Sequence, residues 1–214
     1  MKSEAFSGQP NIVEAILADA NGFHYDVVVY IGRFQPFHLG HLILLLRALR
    51  LGKTVILVLG SDSNERTLKN PLLALERALM VSLSLPADAA QRVRFVAVPD
   101  CQTNDEWVAA VQEAVARRAR GARRVALLGH FKDESSYYLN HFPDWRLESV
   151  ERANELDATA VRNVMFDLAV PIQARLTKLR DMMPAGALPF LKDWMETADF
   201  ELLAMEHVAR VAAT

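Results

Sequence analysis

Residues 32–41 read GRFQPFHLGH, with two glycines, a proline, an arginine and two histidines between apolar segments. His38 and His41 stand three positions apart, so at the opening of a helix both project to one side. Imidazoles placed in this way can hold a metal, cap the helix or donate hydrogen bonds to an anion. Zinc normally takes more ligands, and no acid or cysteine lies at suitable spacing. Gly40, between the histidines, lets a ligand lie close to the backbone, and Gly32 permits the same at the end of the preceding strand. A helix N-terminus adds N–H groups without helical partners and the positive end of a dipole, which suits phosphate. Arg33, Lys132 and Arg162 are cations that the same edge of a fold could gather, and they add weight to phosphate chemistry. On the histidine pair alone, the cap and the metal pair remain open.

The elements that must position these residues follow from hydropathy. DVVVYI (26–31) is a β-branched run, as expected of a strand buried on both faces. Residues 39–51 read as a helix and TVILVLG (54–60) as a second strand. Asn70 and Pro71 suit the N-cap and first position of a helix running to about Pro86. RVRFVAV (92–98) is a third strand, followed by a helix from Trp107 to Arg120 that ends at Gly121. RVALLG (124–129) and WRLESV (145–150) complete the strands, and ATAVRNVMFDL (158–168) is helical. Strands alternating with helices, and apolar on both sides, indicate an α/β fold with a parallel sheet flanked by helices. In such sheets ligands bind at the carboxyl ends of the strands. GKT at 52–54 is not a P-loop, because Arg47 stands where the first glycine belongs and a strand follows. No GxGxxG follows any strand.

The 214 residues suit one domain with small terminal additions: an extension over 1–22, the main domain over 23–170, and a helical C-terminal tail over 171–214. The apolar share of 51% argues against disorder. A formal charge of −2 and a pI near 6.3 argue against a general nucleic-acid binder. One cysteine, Cys101, excludes an internal disulfide and a cysteine metal cluster. The N-terminal stretch lacks the apolar core of a signal peptide, and no apolar run reaches membrane-spanning length, so a cytoplasmic protein without membrane partners is expected. A homo-oligomer is compatible with the sequence.

Five ordered motifs carry a resemblance: GRFQPFHLGH, KNPLLALER, the D-x-x-x-N-x-x-W of 100–107, GHFKDESSYYLNHFP and ATAVR. Together, over about 26–168, they resemble the archaeal type of nicotinamide mononucleotide adenylyltransferase, within the HxGH nucleotidyltransferase superfamily. They are especially similar to the adenylyltransferase half of bacterial bifunctional proteins that also carry a Nudix hydrolase. The resemblance implies a Rossmann-like nucleotidyltransferase fold. One departure is Ala158, where the superfamily commonly has serine; Thr159 and Arg162 of the TxxR motif are in place. The tail looks like the connector to the Nudix half, but no Nudix signature occurs in this chain, so hydrolase activity is not expected.

The resemblance implies transfer of AMP from ATP to nicotinamide mononucleotide, giving NAD and pyrophosphate. The attacking phosphate is already an anion, so catalysis rests on alignment and charge stabilisation. The implied catalytic residues are His38, His41 and Arg162, with His41 at the transition state and Arg162 forking onto the β- and γ-phosphates. The implied ATP-binding set is Gly32, Arg33, Phe34, Gly40, Lys132 and Thr159, with Thr159 also a candidate helix cap. For the acceptor, Trp107 would stack on the nicotinamide ring, and Asp100 and Asn104 would supply polar contacts. Trp107 is equally placed to be core. Arg77 is placed either to reach the ligand or to be solvated or salt-bridged on its helix. His130, Ser135, Ser136 and Cys101 have local or incidental readings. No protein-bound metal is implied; Mg²⁺ would arrive on the ATP phosphates. Alternatives are a different acceptor, phosphopantetheine or flavin mononucleotide, and a nucleotide-sensing module without turnover.

Overall fold

The computed structural model describes Val13, Leu17 and residues 22–129, 141–150 and 156–213. The extension expected over 1–22 falls almost wholly outside these residues, as do His130, Lys132, Ser135 and Ser136.

Five strands form one parallel sheet: β1 (Tyr25–Gly32), β2 (Gly52–Leu59), β3 (Val93–Ala97), β4 (Val125–Gly129) and β5 (Arg146–Ser149), in the order β3-β2-β1-β4-β5. β1 pairs with β2 from Tyr25↔Gly52 to Gly32↔Leu59 and with β4 from Val27↔Val125 to Tyr30↔Leu128. The chain therefore winds outward from β1 in one direction and then returns to its other side. Such a reversal opens a crevice at the strands' carboxyl ends.

The β-branched run of β1 alternates between two cores. Val28 and Tyr30 face one cluster, with Leu42, Leu45 and Leu49 of α1 (Leu39–Leu51) and Met80 and Val81 of α2 (Ala74–Leu83). Val27, Val29 and Ile31 face the other, with Val111, Ala114 and Val115 on the far side of the sheet. A short helix α3 (Ala87–Gln91) leads into β3, and α4 (Asn104–Arg118) carries the second cluster's helical residues. The carboxyl-terminal helices are α5 (Ala158–Phe166), α6 (Ile172–Arg180), α7 (Leu188–Trp194) and α8 (Ala198–Ala212). Leu179, Leu191 and Phe200 from this region share the first cluster with α1 and α2. The tail thus completes the main core.

Two helix starts differ from the sequence expectation. α2 begins at Ala74, because Leu73 rather than Asn70 is its N-cap and Glu76 folds back to accept from the Leu73 N–H at 2.7 Å. Leu72, just before it, is held by the first turn: the Gln35 amide donates to Leu72 O at 2.7 Å and accepts from Leu72 N at 2.9 Å. α4 begins at Asn104, three residues before Trp107. Thr103 caps it, its hydroxyl accepting from Glu106 N at 3.2 Å while the Glu106 carboxylate accepts from Thr103 N at 3.1 Å. That reciprocal pair satisfies two N–H groups and sets the boundary. No helix among the described residues is long and apolar enough to cross a membrane.

Candidate active site

The turn from β1 into α1 holds the first group of candidate residues. His38 is the N-cap of α1, and its Nδ1 accepts from Gly40 N at 3.1 Å. In return, His41 Nδ1 accepts from His38 N at 3.3 Å. The rings stack with centroids 3.7 Å apart. The cap and the phosphate contact, which looked like alternatives, are therefore compatible. A neutral imidazole that accepts at Nδ1 carries its hydrogen on Nε2, and an Nε2–H is a donor suited to an anion.

The amides at this helix start are less available than expected. Leu39 N donates to Met182 O of the tail at 3.0 Å, and the His38 and Gly40 amides serve the histidines. Side chains, rather than a row of unpaired N–H groups, must supply most of the anion contacts. Gly32 also has a different reason for lacking a side chain. A Cβ there would meet the Phe34 ring at 2.9 Å. Phe34, at a φ of 52°, turns its ring into the core, 1% exposed and edge-on to Tyr30.

Arg162 enters this group from α5. Its Nη1 donates to Gln35 O at 2.7 Å and its Nη2 to Thr159 Oγ1 at 3.1 Å. The cap of α5 is Asp157, which accepts from Ala160 N at 2.9 Å; Thr159 is not the cap. Burial lowers the Arg162 pKa, and the neighbouring charge of Arg33 lowers it further, against the opposing pull of Asp157. Two guanidinium groups close enough to repel each other make a corner suited to an anion with more than one negative oxygen.

A cleft of about 590 Å³ opens beside this corner, at the carboxyl ends of β1 and β2 and the N-terminus of α4. Gly32, Arg33, Asp100, Asn104 and Trp107 all line it, together with Ser61, Lys69 and Cys101. The structure thus brings five candidate residues into one cavity of a size normal for small-ligand sites. His38, His41, Thr159 and Arg162 do not line that cleft; Arg33 links it to their corner. Trp107 packs roughly perpendicular to Phe142, centroids 6.4 Å apart, while also lining the cleft.

Several lining or supporting residues escape a reading of the sequence. Ser61, at a φ of 50°, donates from Oγ to Asp100 Oδ1 at 3.0 Å. A non-glycine residue at such a φ is uncommon and marks a turn held by its surroundings. Lys69 precedes the Asn-Pro pair that draws attention as a helix signal. Gln35 lies within the first motif, between better-known residue types. Arg77 is neither solvated nor in the cleft: it is fully buried, and its Nη1 donates to Arg33 O at 2.8 Å and Gly60 O at 2.7 Å. Among the described residues no group of three or more His, Cys, Asp or Glu could hold a metal ion. The cationic corner of Arg33 and Arg162 fits phosphate oxygens rather than a bare divalent ion.

Comparisons with known proteins bear on the family and the fold. The cytidylyltransferase-like family matches residues 29–163. The nicotinamide/nicotinic acid mononucleotide adenylyltransferase of Acinetobacter baylyi is 35% identical over 189 residues, 88% of this chain and 96% of its own length. The nicotinamide-nucleotide adenylyltransferase of Ignicoccus hospitalis is 30% identical over 142 residues, 65% of this chain and 83% of its own. Among solved structures, a bifunctional NMN adenylyltransferase/ADP ribose pyrophosphatase from Francisella tularensis, complexed with AMP and a manganese ion, superposes with a TM-score of 0.74 at 28% identity. The match covers 88% of this chain but only 54% of that one, so the chain spans about half its length.

Proposed function

Because the chain belongs to the cytidylyltransferase-like family, among relatives named as mononucleotide adenylyltransferases, we propose that it transfers AMP from ATP to nicotinamide mononucleotide, giving NAD and pyrophosphate. The observation that carries this reading is the adjacency of two unlike sites. A cleft bordered by Trp107 and the polar Asp100 and Asn104 shares Arg33 with the corner of Arg162 and the histidine pair.

The phosphate of the mononucleotide attacks the α-phosphorus of ATP. A bond forms from its oxygen to that phosphorus, the bond to the bridging oxygen breaks, and pyrophosphate leaves with the electron pair. The nucleophile is an anion at neutral pH, so no side chain has to deprotonate it. What remains is to align two polyanions and to offset the charge that builds on the phosphoryl oxygens. His38 and His41 donate through Nε2–H, Arg162 takes the β- and γ-phosphates, and Arg33 bridges the nucleotide and acceptor sides. The Thr159 hydroxyl accepts from Arg162, which leaves its own hydrogen to be donated to a phosphate oxygen. Mg²⁺ would come with ATP rather than from protein ligands, and would supply charge to offset that of the phosphates. In the acceptor cleft, Trp107 stacks on the pyridine ring.

The test is an adenylyl-transfer assay on the purified chain with ATP, Mg²⁺ and either the amide or the acid mononucleotide. The expected result is a dinucleotide product and pyrophosphate in equal amounts. His41→Ala should lower kcat by about 100-fold, as for removal of one preorganised donor to a developing charge, and leave the acceptor KM near its original value. No dinucleotide with either mononucleotide would sink the proposal, and unchanged turnover in the variant would remove His41 from it.

A further inference from the structure

We propose that Arg77, which does not itself line the cleft, is a positioning residue: its guanidinium locks the ends of β1 and β2 together so that Arg33 and Ser61 face the substrates. This inference rests on the adenylyl-transfer reading.

Burying a cation is costly unless it is closely paired. Arg77 is 0% exposed, yet the carboxylate it meets, Asp62, stands 3.9 Å from Nη2. Its Nε is buried with no hydrogen-bond partner. Burial lowers its pKa, against the weaker pull of Asp62 and Glu76. An apolar side chain of similar volume would pack against the neighbouring Met80 and Val81 without that penalty, so the charge needs a reason beyond stability. The reason lies in what Nη1 holds, the carbonyls of Arg33 and Gly60 at 2.8 and 2.7 Å. These residues follow β1 and β2 directly, and both line the cleft. A backbone bond from Gly60 N to Gly32 O at 3.0 Å ties the same loops at a second point. With its carbonyl anchored, the backbone of Arg33 is held where the residue lines the cleft and its charge reaches Arg162. On the other loop, anchoring Gly60 fixes the strained Ser61 that follows, whose hydroxyl in turn holds Asp100. One buried guanidinium thus orients a residue of the phosphate corner and a residue of the acceptor cleft.

The experiment uses the full chain with Arg77→Met, Arg77→Lys and Arg77→Ala, measuring kcat, both KM values, Tm and ATP affinity by calorimetry. Arg77→Met should lose about tenfold to a hundredfold in kcat, the scale expected from a small misplacement of reacting groups, and bind ATP more weakly. Arg77→Lys should recover part of that loss. Guanidinium ion at millimolar concentration should raise the turnover of Arg77→Ala and leave the unmodified enzyme unchanged. Wild-type kcat and KM values in Arg77→Met, whatever its Tm, would overturn the proposal. If Arg77→Met does not fold, absence of rescue in Arg77→Ala together with full activity in Arg77→Lys would overturn it equally. If the unmodified chain makes no dinucleotide, the reaction reading fails separately, and unaltered ATP affinity in the variants would still refute the role of Arg77.

Discussion

Trp107 has neighbours of two kinds, the core ring of Phe142 and an open cleft. The contact with Phe142 bears out the core reading, and the cleft beside the ring is where the proposed stacking would take place. Trp107→Ala should raise the acceptor KM about tenfold, in line with roughly 1.4 kcal/mol for loss of an aromatic stack, with kcat nearly unchanged. Steady-state kinetics with varied mononucleotide checks this, and an unaltered KM would assign the ring to the core alone. At this scale the sequence was informative wherever a residue type announces its chemistry. Arg33, Asp100, Asn104 and Trp107 share one cleft, and Thr159 and Arg162 meet across a single turn. It was silent on Gln35 and Ser61, whose roles depend on which backbone lies opposite. The Gln35 side chain grips Leu72 while its carbonyl receives Arg162. No spacing rule within one segment reveals a contact between residues 35, 72 and 162.

Elements were read well where burial alone decides them. The run from Leu39 to Leu51 is a helix with the expected ends, and all five expected strands are present. Boundaries moved where a side chain intervened, as at Leu73 and Thr103, because competing caps are resolved by tertiary contacts. The tail gave the weakest signal, its first helices being short and its pattern broken by Pro171, Pro184, Gly186 and Pro189. Its attachment is nonetheless tight. A Cβ on Gly186 would lie 1.9 Å from Leu83 O at the end of α2. Backbone cannot yield as a flexible side chain can, so Gly186→Ala should cost about 2 kcal/mol or more and lower Tm by roughly 4–8 °C. Thermal unfolding checks this, and a Tm within a degree of the original would show that the tail has slack. Arg66 adds a polar tie: it pairs with Glu76 of α2 at 2.6 Å and with Asp199 of α8 at 2.9 Å.

For the whole molecule, a net charge of −2 conceals a division of labour. Cations gather at the carboxyl edge of the sheet, while at the opposite edge Asp26 gathers partners of its own. Its Oδ2 accepts from Arg123 N and Arg124 N at 3.0 and 3.1 Å, and Lys53 and Arg124 each stand 3.5 Å from Oδ1. These backbone bonds, that from Arg123 foremost, hold its pKa at about 2, below the ordinary 3.8. A depressed folded-state pKa stabilises above the unfolded value, and that contribution fades as pH falls from 3.8 through about 2. Denaturant titrations over that window should show a shallower loss of stability for Asp26→Asn than for the unmodified chain. Identical slopes would mean that other carboxylates govern acid unfolding.

The position of β1 in the sheet has a consequence for the order in which the protein comes into being. It is the first of the described strands and the central one, with β2 on one side and β4 on the other. During synthesis β2 follows it within a few tens of residues, so one edge is covered early. The opposite edge waits for Val125–Gly129, and until then a β-branched strand carries a row of unpaired amides and carbonyls. The same wait leaves Arg33 and the histidine pair without Arg162, which lies later still. Translation therefore passes through an interval in which one edge of β1 stands open and Arg162 is not yet beside Arg33; the docking of β4 closes the first gap, and that of α5 the second.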